Sequence, residues 1–110
     1  MKSTVKSSVE VSRFFTDGKK AVTPYVTIFL IERSQYDHPR GRTCVMAGKK
    51  LGNAVTRNRA KRRMRALISD LGGPWPGYDV AFLARNRVLT ANHEEMCNAC
   101  KKALAKVGIQ

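Results

Sequence analysis

The feature that most constrains the fold is the segment at positions 49–71, which reads KKLGNAVTRNRAKRRMRALISDL. When its residues are projected at about 100° per residue, five apolar side chains fall within one arc that is wide enough to pack against a core. These residues are Ala60, Met64, Leu67, Ile68 and Leu71. The periodicity predicts a helix at residues 56–71 with one buried face, and Thr56 is its predicted N-cap.

The other faces of this predicted helix are strongly basic. Six of the nine residues from Arg57 to Arg65 are Lys or Arg, and none is acidic. A helix that only meets solvent usually interleaves acids, because like charges four residues apart repel each other. Lys49 and Lys50 add positive charge upstream, near the free amides of the helix N-terminus. This density disfavours a merely solvated face and predicts a phosphate-rich partner, since guanidinium groups suit phosphate oxygens.

The composition indicates one globular domain, residues 1–110, with a polyanionic partner. The chain has 21 Lys and Arg against 8 Asp and Glu, a net charge of +13, and 43% hydrophobic residues. Between Asp37 and Asp70 there are ten basic residues and no acid. Nucleic acid is the leading partner class and an anionic membrane surface is the alternative. No apolar run approaches the roughly 20 residues of a membrane span, and the first residues lack a signal-peptide core, so a cytoplasmic location is predicted.

From the residues alone, the predicted elements follow the order α-β-β-α-β-α. They are a helix at 8–17, strands at 25–31 and 43–47, the basic helix, a strand at 78–84 and a helix at 93–107. The strands are β-branched or mostly apolar, and the last one is of the kind that is covered on both faces. Turn formers at 34–42 predict a hairpin loop, so the first two strands are expected to pair antiparallel. The pattern predicts an α+β two-layer sandwich.

No set of side chains is assigned to catalysis or to metal binding on the protein. His93, Cys97 and Cys100 share one face of the last predicted helix, at spacings that could present zinc ligands or a redox-active thiol pair. The same face is the apolar side of that helix, where cysteine acts as a small hydrophobe, so a core role is favoured. No acidic pair has the spacing of a two-metal nuclease. The protein alone is therefore predicted not to be a catalyst.

Aromatic residues gather in the first third of the chain, among basic residues. The aromatic positions are Phe14, Phe15, Tyr25 and Phe29, and the basic ones are Arg13, Lys19 and Lys20. Such a combination suits unpaired nucleotides, because bases stack on rings and phosphates attract cations. Plain core packing is the alternative for each single ring.

Positions 49–65 resemble the signature segment of the protein subunit of bacterial ribonuclease P. The shared positions after the lead KKLGNAV are Arg57, Asn58, Arg59, Lys61, Arg62 and Arg65. The resemblance extends to residues 15–18 after the first helix and to residues 77–80 and 84–85 around the last strand, and so covers about residues 9–106. It departs at Val11, where the family usually has an aromatic residue.

The resemblance implies a fold of order α-β-β-β-α-β-α, in which a four-stranded sheet packs with helices. An extra short strand would precede Pro24, and the basic helix would lie in a strand–helix–strand crossover. The implied function is a ribonucleoprotein endonuclease whose catalytic RNA subunit, with bound Mg²⁺, removes the 5′ leader of precursor tRNA. A ribosomal or other structural RNA-binding protein is the alternative. A DNA-reading protein is disfavoured, because only Asn58 on the helix is an obvious base reader.

The resemblance also implies two sets of contacts. The RNA subunit would be bound by the basic helix and its lead, through Lys49, Lys50, Asn53, Arg57, Asn58, Arg59, Lys61, Arg62 and Arg65. The single-stranded leader would be bound between the first helix and the sheet, through Val11, Arg13, Phe15, Lys19 and Phe29. Neither a membrane nor DNA is an expected partner.

Overall fold

The computed structural model describes residues 19–32 and 41–108. In chain order the elements are β1 (Lys19–Val22), β2 (Val26–Glu32), β3 (Arg42–Met46), a 3₁₀ turn (Lys49–Leu51), α1 (Ala54–Asp70), β4 (Tyr78–Ala84), a second 3₁₀ turn (Asn86–Leu89) and α2 (His93–Lys106). The α+β class and the β-β-β-α-β-α part of the implied order are confirmed. The short strand β1, which the residues alone did not indicate, is present, and the predicted helix at 8–17 lies outside the described residues.

The four strands form one mixed sheet in the order β1-β2-β4-β3. Strand β4 pairs antiparallel with β2 and parallel with β3, so the connection from β3 to β4 is a crossover that carries α1. The predicted hairpin between strands 25–31 and 43–47 is wrong, because β4 lies between β2 and β3. Turn formers indicate that a chain changes direction, but they do not say which strands become neighbours. Strand β4 takes one of the two central positions because its mostly apolar sequence can be buried on both faces.

Alternation along the strands gives the sheet two different faces. One face packs against both helices, and its buried strand residues are Val26, Ile28, Leu30, Val80 and Phe82. The opposite face has its own, smaller buried cluster, which consists of Phe29, Ile31, Cys44 and Ala81. The helix-packed face therefore holds the main core, and the second face is a distinct surface of the sheet.

Helix α1 packs on the sheet through the apolar face that the periodicity predicted. Its buried residues are Ala60, Met64, Leu67 and Ile68. The helix begins at Ala54 because Asn53, and not Thr56 as predicted, is the N-cap. The Asn53 side chain accepts a hydrogen bond from the Thr56 amide at 3.0 Å. Both residue types are good N-caps, and the periodicity alone does not choose between two that lie three positions apart.

Helix α2 begins at His93, after Asn92 as its N-cap. The Asn92 side chain accepts hydrogen bonds from the amides of Glu94 and Glu95. The buried side of α2 meets the same core as α1, and it consists of Met96, Cys100, Ala103 and Leu104. Within residues 19–32 and 41–108, no helix has both the length and the apolar character that a membrane crossing requires.

Candidate nucleic-acid interface

The solvent side of α1 carries a stripe of exposed side chains. This outer stripe consists of Val55, Asn58, Arg62 and Arg65, which line a shallow depression of about 420 Å³. Spacings of three and four residues place all four on one side of the helix, away from the buried face. Val55 is 74% exposed, which is unusual for a large apolar side chain. The structure thus brings together three of the residues predicted to contact RNA, namely Asn58, Arg62 and Arg65.

The loop before α1 extends this basic surface. Lys49 and Lys50 are exposed in the 3₁₀ turn directly upstream of the helix. Gly52 then turns the chain with a φ of 141°, and a Cβ there would lie 3.2 Å from the side chain of Thr56, so the turn favours glycine. Asn53 is the N-cap, and its side-chain oxygen is therefore engaged by the backbone. The loop sets two lysines beside the positive end of the α1 dipole.

Two arginines on the flanks of α1 turn into the protein. The Arg57 Nε donates to the carbonyl oxygen of Ala47 at 3.0 Å, which ties the first turn of α1 to the end of β3. Arg63 donates from Nη1 to the carbonyl oxygen of Leu89 at 2.6 Å, and from Nη2 to that of Ala91. These bonds satisfy backbone acceptors at or just beyond the ends of regular elements. Arg57, which was predicted as an RNA contact, therefore also holds the fold together.

The last two predicted contacts on α1 lie on either side of the outer stripe. Arg59 is exposed, whereas Lys61 is half-buried. Burial raises the pKa of the Cys44 thiol in the edge strand β3, and the Lys61 ammonium opposes this rise. Lys61 is therefore a cation of α1 that acts on the β3 edge of the sheet.

The register of β1 decides which of the predicted leader contacts lie together. Lys20 pairs with Phe29, and Lys19 pairs with Leu30. Directly paired residues point to the same face, so Lys20 shares the second face with Phe29 while Lys19 lies on the helix-packed face. The structure therefore separates Lys19 from Phe29, whose ring is only 6% exposed. Outside the described residues lie the other three predicted leader contacts, Val11, Arg13 and Phe15.

A buried ion pair joins β3 to β4, and sequence reasoning missed it. Arg42 donates from Nε to Asp79 Oδ1 at 3.2 Å and from Nη2 to Oδ2 at 2.7 Å, and the two side chains are 9% and 2% exposed. An acid inside an otherwise apolar strand was the available signal, because a buried carboxylate requires a partner. The identity of that partner depends on the pairing of β3 with β4, which local sequence does not reveal.

The three residues considered as zinc ligands are not all brought together, because Cys100 is separated from the group that His93 and Cys97 form with Asp70. Cys100 is buried in the core, and this burial, with a smaller effect of Cys97, raises its pKa to about 12. The core role is thus confirmed for Cys100, whereas Cys97 is only partly buried at the edge of the core. The Cys97 sulfur lies 3.5 Å from His93 Nε2, and that nitrogen lies 2.5 Å from an Asp70 oxygen at the end of α1.

The fold and the outer stripe together define a small α+β protein with a basic helix and a basic lead loop on its surface. Comparison with known proteins identifies the family. The family model described as Ribonuclease P matches residues 1–108. The chain is also 38% identical over 92 residues to the ribonuclease P protein component of Streptococcus pyogenes serotype M5 (strain Manfredo), an alignment that covers 84% of this chain and 75% of that protein. The chain belongs to the ribonuclease P protein family.

Solved structures of bacterial RNase P proteins share the fold. The Staphylococcus aureus RNase P protein superimposes with a TM-score of 0.80 at 19% identity, over 99% of this chain and 98% of that one. The Thermotoga maritima RNase P protein does so with a TM-score of 0.75 at 15% identity, over 94% of this chain and 96% of that one. The four-stranded α+β architecture implied by the sequence resemblance is therefore confirmed.

Membership of this family establishes the general function. The chain is a protein component of ribonuclease P, an RNA-binding part of the holoenzyme that processes the 5′ ends of tRNA. Its partnership with the RNA of that enzyme follows from the same finding. The alternative of a ribosomal or other structural RNA-binding protein is not supported.

Proposed function

We propose that this chain binds the catalytic RNA subunit of ribonuclease P through the outer stripe and the Lys49–Leu51 turn, and so assists that RNA in removing the 5′ leader. The observation that carries the proposal is the exposed pair Arg62 and Arg65 on a helix whose basic segment contains no acid. Each guanidinium that meets a phosphate releases condensed counterions, and this release is a main source of affinity for RNA.

The chemistry of the outer stripe suits a folded RNA backbone. Arg62 and Arg65 offer planar, bidentate donors for phosphate oxygens. Asn58 offers both a donor and an acceptor, which match a ribose 2′-hydroxyl or a base edge. The exposed Val55 adds an apolar contact beside them. Arg59 and Lys61, on either side of the stripe, extend the positive surface to neighbouring phosphates.

In this proposal the Mg²⁺ ions of the reaction are held by the RNA, and no described side chain of the protein takes part in the chemical step. The protein contributes cations where two RNA molecules approach each other. These cations reduce the repulsion between phosphates and so lower the Mg²⁺ concentration that the assembled enzyme needs. We also propose that the enzyme acts in the cytoplasm.

Precursor tRNA differs from mature tRNA by its unpaired 5′ segment, so we propose that the protein distinguishes the two by binding that leader. The second face of the sheet is the proposed surface. Lys20 is exposed there and pairs with Phe29, which supports the surface from within. The register favours Lys20 over Lys19 as the cation on this face. Val11, Arg13 and Phe15 remain predicted leader contacts.

Reconstitution tests the role of the outer stripe. The protein is mixed with a ribonuclease P RNA at low Mg²⁺, and removal of the leader from a precursor tRNA is followed. We expect the Arg62→Ala, Arg65→Ala double variant to need more Mg²⁺ for the same rate. The matched control, Lys102→Ala with Lys106→Ala, removes the same charge from exposed positions of α2 and should behave as the parent protein. Equal impairment of both variants would contradict the proposal.

A comparison of neighbouring lysines tests the leader surface. Lys20→Ala should weaken holoenzyme binding to precursor tRNA by about fivefold, the value of one net hydrogen bond of ~1 kcal/mol, and should leave mature tRNA binding unchanged. Lys19→Ala removes the same charge from the opposite sheet face and should have a smaller effect. If the two variants are indistinguishable, or if both tRNAs are affected equally, the leader does not cross this face.

A further inference from the structure

A second cluster of reactive side chains lies at the far end of α1, away from the outer stripe. Asp70 is the last residue of α1, His93 is the first residue of α2, and Cys97 follows one turn later. The His93 Nε2 lies 2.5 Å from Asp70 Oδ2 and 3.5 Å from Cys97 Sγ. The three ligand atoms all lie within 4.8 Å of one another. One carboxylate, one imidazole and one thiol thus converge from two helices.

These distances are close to those of a tetrahedral metal site. Zinc bonds of about 2.0–2.3 Å to oxygen, nitrogen and sulfur set neighbouring ligand atoms roughly 3.3–3.7 Å apart. The sulfur–nitrogen distance of 3.5 Å already matches this spacing. The oxygen–nitrogen distance of 2.5 Å must open by about 1 Å, which is feasible because the Asp70 side chain is 59% exposed at a helix end.

The local charge also favours a cation. Asp70 stands at the negative end of the α1 dipole, where an acid is unfavourable and a positive charge is stabilising. Glu94 and Glu95 lie in the first turn of α2, so three of the eight acids of a +13 chain gather in this corner. Lys101, one turn beyond Cys97, is the basic group that acts on the Cys97 thiol from the same helix.

We propose that Asp70, His93 and Cys97 form a binding site for one thiophilic divalent metal ion of the Zn²⁺ type. The ion takes the Asp70 carboxylate, the His93 Nε2 lone pair and the Cys97 thiolate as ligands, and water completes the tetrahedron. The Cys97 thiol gives its proton to solvent as the sulfur–metal bond forms. The His93 ring keeps its proton on Nδ1, and no oxidation occurs. The bound ion joins the end of α1 to the beginning of α2.

Titration of the full-length metal-free protein with Co²⁺, under reducing conditions, tests the site. We expect a thiolate-to-cobalt charge-transfer absorption that saturates at one equivalent. Cys97→Ser should abolish this absorption. Cys100→Ala, which removes a thiol from the same helix but from its buried side, should retain it. No absorption at one equivalent, or equal loss in both variants, would show that Asp70 and His93 form only a hydrogen-bonded pair beside an unligated thiol.

Thermal stability gives a second readout that does not depend on sulfur absorption. Zn²⁺ at a hundredfold excess over its dissociation constant should raise the Tm by roughly 10 °C. Asp70→Asn should weaken Zn²⁺ affinity by at least the roughly 10–100-fold that loss of an outer-shell partner costs. The folded state of each variant is checked by its melting curve without metal. A Tm that rises equally in the parent protein and in Cys97→Ser would overturn the proposal.

Discussion

The charged side chains inside this protein have protein partners, whereas those on its outer stripe face solvent. Inside, Asp79 is held in a buried bidentate ion pair, and Arg57 and Arg63 donate to backbone carbonyl groups. On the outer stripe, Arg62 and Arg65 face solvent around a shallow depression. The basic residues of one helix thus divide into those that hold the fold and those that remain accessible. Basic character alone therefore does not identify a binding surface. The direction in which each basic side chain points must also be known.

The largest expected effect comes from an unpaired charge on the inner side of α1. Met64 is 0% exposed, so Met64→Asp introduces a carboxylate into the core. We expect a loss of about 5 kcal/mol or more, which is enough to unfold a domain of ordinary stability. Arg65→Asp makes the neighbouring residue acidic on the exposed side, and its circular-dichroism melt should stay cooperative. Unfolding of both variants would contradict the division of α1 into two sides.

Removing one partner of the buried ion pair should have the next largest effect. Asp79→Asn removes the carboxylate that the buried Arg42 guanidinium binds, and we expect the unfolding free energy measured by urea denaturation to fall by about 3–5 kcal/mol. Asp70→Asn breaks the pair with His93, whose side chain is 42% exposed, and without metal it should cost less than about 1 kcal/mol. Equal losses would mean that burial does not distinguish the two pairs.

Two arginines that are adjacent in sequence separate the structural role from the binding role. Arg63→Ala leaves the carbonyl groups of Leu89 and Ala91 without their donor, and the unfolding free energy should fall by about 2 kcal/mol. Arg62→Ala should change stability by less than about 0.5 kcal/mol but weaken binding to the RNA subunit. Urea denaturation and filter binding measure the two effects. If Arg62→Ala lost more stability than Arg63→Ala, or if Arg63→Ala weakened RNA binding more, the assignment of the two arginines would be contradicted.

Raising the pH should favour the unfolded chain through the Cys100 thiol, and over two pH units this is the smallest expected effect. Burial raises the Cys100 pKa from the ordinary 9.0 to about 12, so the unfolded chain loses this proton first. Stability from this group is therefore constant below pH 9 and falls above it by about 1.4 kcal/mol per pH unit until about pH 12, so the loss between pH 8 and pH 10 is about 1.4 kcal/mol. The difference between the urea midpoints at pH 8 and pH 10 should be smaller in Cys100→Ala than in the parent protein. An identical pH dependence in both proteins would place the titrating group elsewhere.

The local periodicities of the sequence were sufficient to predict most elements of the fold. The buried face of α1 and the burial of β4 on both faces were predicted correctly, because a repeat of 3.6 residues and a mostly apolar run each report burial within one segment. The order of the strands was not predicted from the residues, because strand pairing depends on segments that lie far apart in the chain. The N-cap of α1 shows the same limit over a shorter distance, because it was predicted at Thr56 and lies three residues earlier, at Asn53.

The sequence predicted which residue types form the candidate sites, but not the direction or the contacts of each side chain. The basic segment is visible in the sequence, yet the inward turn of Arg57 depends on where β3 ends. The choice between Lys19 and Lys20 depends on a register with β2, which shifts the side-chain direction with every residue. The contact of Asp70 with His93 joins two helices across 23 positions, and spacing within a single helix could not reveal it.

The salt dependence of RNA-subunit binding tests the central claim most directly. The slope of log affinity against log salt counts the phosphates that the protein neutralises. If Arg62 and Arg65 each meet one phosphate, their double replacement by Ala should flatten the slope by about two units, while Lys102→Ala with Lys106→Ala leaves it unchanged. An unchanged slope for the outer-stripe variant, or the same change in both variants, would contradict the assignment of this surface to RNA.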